Sequence, residues 1–169
     1  MRLGIISDTH GDKAAIRQAV MMAPPVDCWI HAGDHGQDGA FLEKLTAAPV
    51  HAVCGNTDLL EGREKPDDYI DAAGKRIWVT HGHRYHVKNG LHELLYWANQ
   101  FAADIIVFGH THEPLIERRD GKLFINPGSA ARPRAGSVAS FVILTLTEQG
   151  EESIQLCRLD RKECSLYHI

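Results

Sequence analysis

Apolar and polar positions alternate along this chain in two registers, and the expected architecture changes where the register does. Up to residue 56, short apolar runs (RLGIISD from Arg2, VDCWIHAGD from Val26, VHAVCGN from Val50) are separated by DKAAIRQAVMMA from Asp12 and GAFLEKLTAA from Gly39. The runs read as buried strands, and the spacers, with apolar residues three and four apart, as amphipathic helices. Such β-α-β-α-β alternation implies a parallel sheet covered by helices. Asp12 is placed to cap the first helix, and Pro24-Pro25 stops it. Alternation resumes with a strand, KRIWVTHGH from Lys75. A helix follows, GLHELLYWANQFAA from Gly90, with Leu91, Leu94, Leu95, Ala98 and Phe101 striped towards the core. A further buried strand is ADIIVFGHTH from Ala103.

The last third changes character. PLIERRDGKLFINPG reads as a hairpin about Asp120-Gly121, and SFVILTLTEQGEESIQLCRL as another about Gln149-Gly150, so antiparallel strands are expected here. A mainly parallel half followed by hairpins predicts an α/β protein. Its expected form is a four-layer α/β/β/α sandwich of two mixed sheets flanked by helices, with residues 1–169 as a single domain. Polar, proline-bearing LLEGREKPDDYIDAAG, residues 59–74, is the most loop-like stretch and is expected to hang over a sheet edge.

Composition narrows the function classes. A chain of 169 residues can bury one core. Its net charge of −4, with no run of one sign, argues against nucleic acid as a partner. No apolar stretch approaches the roughly 20 residues that span a bilayer, so no membrane partner is expected. The opening MRLGIISDTHGD reads as a strand rather than a signal peptide, and a cytoplasmic location is the expectation. Cys28, Cys54, Cys157 and Cys164 show no CxxC spacing and read as reduced thiols. Histidine is abundant, at 11 residues, which suits a metal or acid-base site.

The chemistry-bearing residues collect at strand ends: Asp8 and His10, Gly33-Asp34, Gly55-Asn56 with Asp58, His81 with His83, and Gly109-His110 with His112. Carboxyl ends of parallel strands share one rim, where α/β proteins bind ligands. Asp8 and His10, like His110 and His112, stand two apart and would point the same way in extended backbone. The glycines before Asp34, Asn56 and His110 permit tight or positive-φ turns that bring a ligand close. Singly, each residue has a structural reading, such as an Asp helix cap or a hydrogen-bonded His. Seven of them in order on five strands point instead to a metal site. Oxygen and imidazole donors without thiolate suit Mn²⁺, with Zn²⁺, Fe or Ni²⁺ as alternatives. His31, His35, His51 and Cys54 flank the motifs and read as structural. Arg84 and His86 could reach a substrate, and Arg132 and Arg134 could attract an anionic one.

In this order, DxH, GD, GNxD, HGH, GHTH and NPGS resemble the calcineurin-like metallophosphoesterase superfamily, in particular its small stand-alone bacterial and archaeal phosphodiesterases. The resemblance, carried by residues 8 to 129, implies the four-layer sandwich and two divalent transition-metal ions. It implies that Asp8, His10 and His112 hold one ion, that Asn56, His81 and His110 hold the other, and that Asp34 bridges them. It implies hydrolysis of a small phosphate ester, most readily a phosphodiester, by a hydroxide lying between the ions. Asp58 would act from behind, orienting a ligand or its loop, while His83 would face the phosphate. Where this chain has Thr57, many members of the family it resembles carry histidine, which the resemblance implies as the proton donor to the leaving oxygen. The alternatives are a non-catalytic protein-interaction scaffold of the same fold, which would tolerate lost ligands, and a nuclease, which would want a basic patch. A homo-oligomer is left open.

Overall fold

Parity along the strands explains the layers. In a computed structural model that describes residues 1–58 and 65–168, the first half runs β1 (Arg2–Ile6), α1 (Lys13–Met22), β2 (Cys28–His31), α2 (Gln37–Thr46) and β3 (Val50–Ala52). Next come β4 (Asp67–Ala72), β5 (Lys75–Thr80), α3 (His92–Gln100) and β6 (Ile105–Val107). The chain ends with β7 (Pro114–Arg119), β8 (Lys122–Pro127), β9 (Ser140–Leu146), β10 (Glu152–Arg158) and β11 (Glu163–Leu166). One sheet has the order β11-β10-β9-β1-β2-β3 and the other β4-β5-β6-β8-β7.

Successive strand residues face opposite sides of a sheet. Leu3, Ile5, Cys28, Ile30, Val142 and Leu144 of the first sheet therefore meet Ile77, Val79, Ile105, Val107, Leu123 and Ile125 of the second in one buried layer. Their neighbours Ile6, Trp29, Phe141 and Ile143 point outward onto Ile16 and Ala19 of α1 and Leu42 of α2. On the far side Trp78, Ile106 and Phe124 pack against Leu94 and Ala98 of α3. Three apolar layers between four structural ones are the expected α/β/β/α sandwich. Asp12 caps α1, accepting from the amides of Ala14 and Ala15 at 3.0 Å each. Among the described residues no helix is long and apolar enough to cross a membrane.

Pairing departs from expectation in four places. The β7–β8 and β9–β10 hairpins are antiparallel, yet β8 also lies parallel to β6, and β9 returns to the first sheet beside β1. Within the stretch read as a loop, β4 pairs antiparallel with β5. Ile70 and Ala72 face the buried layer while Asp67, Tyr69 and Asp71 alternate with them, a charge-bearing edge whose acids hid the strand pattern. Residues 59–64 of that stretch lie outside the described residues. An exposed strand, β11, adds a further edge. It also corrects the cysteine reading. Pairing sets Cys157 opposite Cys164, and the two form a disulfide, while Cys28 and Cys54 lie outside it. Spacing in sequence could not show this, because strand register creates the proximity.

Candidate metal centre

The ends of β1, β2 and β3 in one sheet and of β5 and β6 in the other converge on the same rim, so the site straddles the sandwich. Asp8, Asp34, His81 and His112 are buried, His10 and His110 half-buried, and Asn56 exposed. Donor atoms of Asp8, His10, Asp34 and His112 all lie within 4.8 Å of one another, close enough to hold one ion. His81 Nε2 stands 3.3 Å from both Asp34 Oδ1 and Asn56 Oδ1, and its ring centroid is 5.1 Å from that of His110. The two groups meet at Asp34.

The expected extended geometry is not what aligns them. Asp8, His10, Asp34, His110 and His112 all have positive φ, so each loop curls back at the strand end instead of running on. That strain, uncommon for residues with a Cβ, is held by neighbouring bonds and is typical of functional loops. Of the three glycines, Gly33 has φ of 95° as anticipated, whereas Gly55 and Gly109 serve close approach. A Cβ on Gly109 would lie 2.1 Å from Ser7 Oγ and 2.7 Å from Asp8 Oδ2.

Hydrogen bonding decides which ring atoms are available. His112 Nδ1 lies 2.6 Å from the Arg132 carbonyl and His81 Nδ1 lies 2.8 Å from that of Ala32, so both Nδ1 atoms donate. In the neutral rings each Nε2 then carries a lone pair. His112 Nε2 faces Asp8 Oδ1 at 3.1 Å, and His81 Nε2 faces the Asp34 and Asn56 oxygens. Acceptor confronts acceptor at both places. Asp8 Oδ1 is buried and receives no well-formed hydrogen bond, despite that short distance. Such an arrangement is costly unless a cation lies between the acceptors, so the donor set fits divalent ions.

Electrostatics act on these ligands in opposite directions. Burial pushes the Asp8 carboxyl up, but His112, His81 and Ser7 outweigh it and hold it below the usual carboxylate range. Asp8 in turn raises His112 against the opposing effect of burial. Burial, then His81 and Lys88, push His110 down to about 4, and burial lowers His10 although Asp34 opposes it. Neutral imidazole is the ligating form, so burial favours ligation by His10 and His110, whereas Asp8 favours the protonated form of His112.

The remaining expected residues divide. Asp58 touches no ligand side chain. Its Oδ1 accepts from the amides of His35 and Gly36 at 2.9 Å each and its Oδ2 from Gly55 at 2.6 Å, strapping the Asp34 loop to the Asn56 loop. His83 sits beside the cluster, its ring 5.3 Å from His81 and 6.0 Å from His110, with Nδ1 buried and without a hydrogen-bond partner among the described residues. Burial, and then His81, lower its pKa. His86 instead pairs with Glu93 at 2.9 Å, and Arg84 with Asp67 at 3.6 Å, so neither is held towards the site. His35 pairs with Asp38, and His51 with Asp68. His31 is enclosed: it accepts from the Gly33 amide and bonds Thr9, which donates to Asp38 at 2.6 Å. Asn126 donates to the Gly109 carbonyl and Ser129 to that of Asp8, bracing two ligand loops from behind. The sequence reading passed over Ser7, Thr9 and Asp38. A serine beside a motif Asp and an acid on the inner face of a helix were the only signals.

Residues 1–149 match the model of the calcineurin-like phosphoesterase superfamily domain. The chain is 39% identical to the probable metallophosphoesterase YsnB of Bacillus subtilis, over 86% of this chain and 85% of that protein. It is also 39% identical to the phosphodiesterase YfcE of Escherichia coli, over 85% of this chain and 87% of that one. A crystal structure of Vps29 from Entamoeba histolytica complexed with zinc superposes with a TM-score of 0.82 at 26% identity, covering 100% of this chain and 98% of that chain.

Proposed function

This chain belongs to the calcineurin-like phosphoesterase superfamily and is a metal-dependent phosphoesterase, and from that premise we propose a phosphodiesterase in which two divalent ions share Asp34. Asp8, His10 and His112 would surround one ion, and Asn56, His81 and His110 the other. The observation that carries this reading is the orientation of one carboxylate: Asp34 Oδ2 faces His10 Nε2 at 3.8 Å while its Oδ1 faces His81 Nε2 at 3.3 Å. Ions held by these residues would supply a hydroxide for in-line attack and would neutralise charge developing on the phosphoryl oxygens. Manganese is the proposed metal, since imidazole and carboxylate donors without thiolate suit it.

The protein's part is positioning. The Asp34 carboxylate is itself oriented by the Thr57 amide, which donates to Oδ1 at 3.1 Å, and by the Asp58 strap behind it. His83, whose half-buried ring lies beside those of His81 and His110, is the ring placed to face a phosphoryl oxygen. Small phosphate esters are the proposed substrates, in keeping with the net charge of −4. A cytoplasmic location belongs to the same reading, although the Cys157–Cys164 bridge runs against it, disulfides being rare in reducing compartments. The test is metal analysis after Mn²⁺ loading together with hydrolysis of bis(4-nitrophenyl) phosphate. Two bound ions per chain and loss of turnover on chelation are expected; hydrolysis that survives chelation would overturn the reading.

A further inference from the structure

The segment that carries two of the histidines has a second face. Thr111, between His110 and His112, forms part of the wall of a groove of 510 Å³ whose apolar lining includes Val87, Leu91, Phe108, Pro114 and Leu115. That volume is typical of small-molecule sites. Pro114 and Leu115 are only half-buried and offer it apolar surface. The groove borders the metal loop: Thr111 of its wall stands between two proposed ligands, and the amide of Arg134, also in its wall, donates to the His112 carbonyl at 3.3 Å.

Lys88 and Arg134 also line it. Both are exposed, and among the described residues neither makes an ion pair, whereas Arg76, Arg84, Arg118, Arg119 and Arg158 all do. An acid on the same rim, Glu113, partly offsets Lys88 and Arg134, so they suit the single charge of a diester better than a second anion. An apolar lining edged by two cations favours an aromatic ring over an alkyl chain, because a ring face attracts cations as well as burying area.

Building on the phosphodiesterase reading, we propose that this groove binds one ester arm of the substrate, and that the substrate class is phosphodiesters with a flat, uncharged ring on that arm. Phosphinates test it without turnover, since methyl(phenyl)phosphinate and dimethylphosphinate carry the same single negative charge, have no ester bond to cleave, and differ only in the arm. Calorimetry on Mn²⁺-loaded protein should show the phenyl compound binding roughly 10- to 100-fold more tightly. In Leu115→Trp, which fills the groove, the gap should close to within about threefold. Equal affinities in the wild type would overturn the proposal, as would an unchanged gap in a natively folded Leu115→Trp. Hydrolysis of phenyl and methyl 4-nitrophenyl phosphate, run alongside, separates the two readings. Turnover of both with equal phosphinate affinities removes the groove alone, and turnover of neither removes the phosphodiesterase reading and the groove with it.

Discussion

Gly55 is a position where one methyl group should do far more to the site than to the fold. A Cβ there would lie 2.2 Å from Asp34 Oδ1 and 2.4 Å from the Asp34 amide nitrogen. Ordinary contacts are about 3.5 to 4.0 Å, so in Gly55→Ala the Asn56 turn must retreat from the Asp34 backbone by about 1 Å. Rotating a side chain cannot relieve a clash with backbone. The strap resists, because Asp58 holds the amides of Gly55, His35 and Gly36 at once. Overpacking of this kind costs about 1 to 3 kcal/mol, which a domain with about 5 to 15 kcal/mol of stability survives. Catalytic geometry is less forgiving, and a displacement of about 1 Å is worth roughly 100-fold in rate. Steady-state hydrolysis of bis(4-nitrophenyl) phosphate at saturating Mn²⁺, with a thermal melt in parallel, measures both effects. Gly136→Ala is the control: φ there is 74° and nothing lies within 4 Å, so it should lose only about 1 kcal/mol and no rate. A Gly55→Ala enzyme within about threefold of wild type would refute the claim that the Asp34–Asn56 spacing limits the reaction.

Three further expectations follow from the same geometry. Asp34→Asn should cost far more activity and metal affinity than His35→Ala, because Asp34 faces both histidine clusters whereas exposed His35 only pairs with Asp38; equal losses would sink the shared-ligand assignment. With Thr57 where an imidazolium would protonate the leaving oxygen, aryl diesters should turn over much faster than alkyl ones. Thr57→His should flatten a leaving-group series by up to roughly 10²- to 10⁴-fold, and a series already flat in the wild type would dismiss the argument. Burial drives the His31 pKa below its ordinary 6.5, with Asp38 only partly opposing. The unfolded chain therefore binds a proton that the folded one refuses: stability is full above pH 6.5 and falls as pH drops, at up to about 1.4 kcal/mol per unit for this group. Melting curves of His31→Gln should be less sensitive between pH 7 and 5 by that amount, and identical slopes would exclude His31 as the cause.

The chain's own order carries a good deal. Short apolar runs between helical patterns mark the segments holding Ile5, Trp29, Val79 and Ile106 as buried strands, while the layer each side chain joins is set by the packing of the two sheets. Asp-Gly at 120–121 determines a hairpin by turn chemistry alone, and the spacing of Asp8, Asp34, Asn56, His81 and His110 marks the strand ends as a set. These sequence signals are local, governed by backbone period and residue type. What local information cannot reach is which strands become neighbours. Only pairing across the sandwich brings β5 and β6 to the rim of β1, β2 and β3, turns the two Asp34 oxygens towards different histidines, and joins Cys157 to Cys164. The curled loops follow the same logic. Residues two apart need not share a face once positive φ turns each of them, and that conformation is paid for by bonds from distant loops, such as Ser129 to the Asp8 carbonyl. The edge strand β4 exists because β5 offers it a ladder, against the preference of its three aspartates. Long-range contacts decide such cases because the energy that settles them is made between segments the sequence keeps far apart.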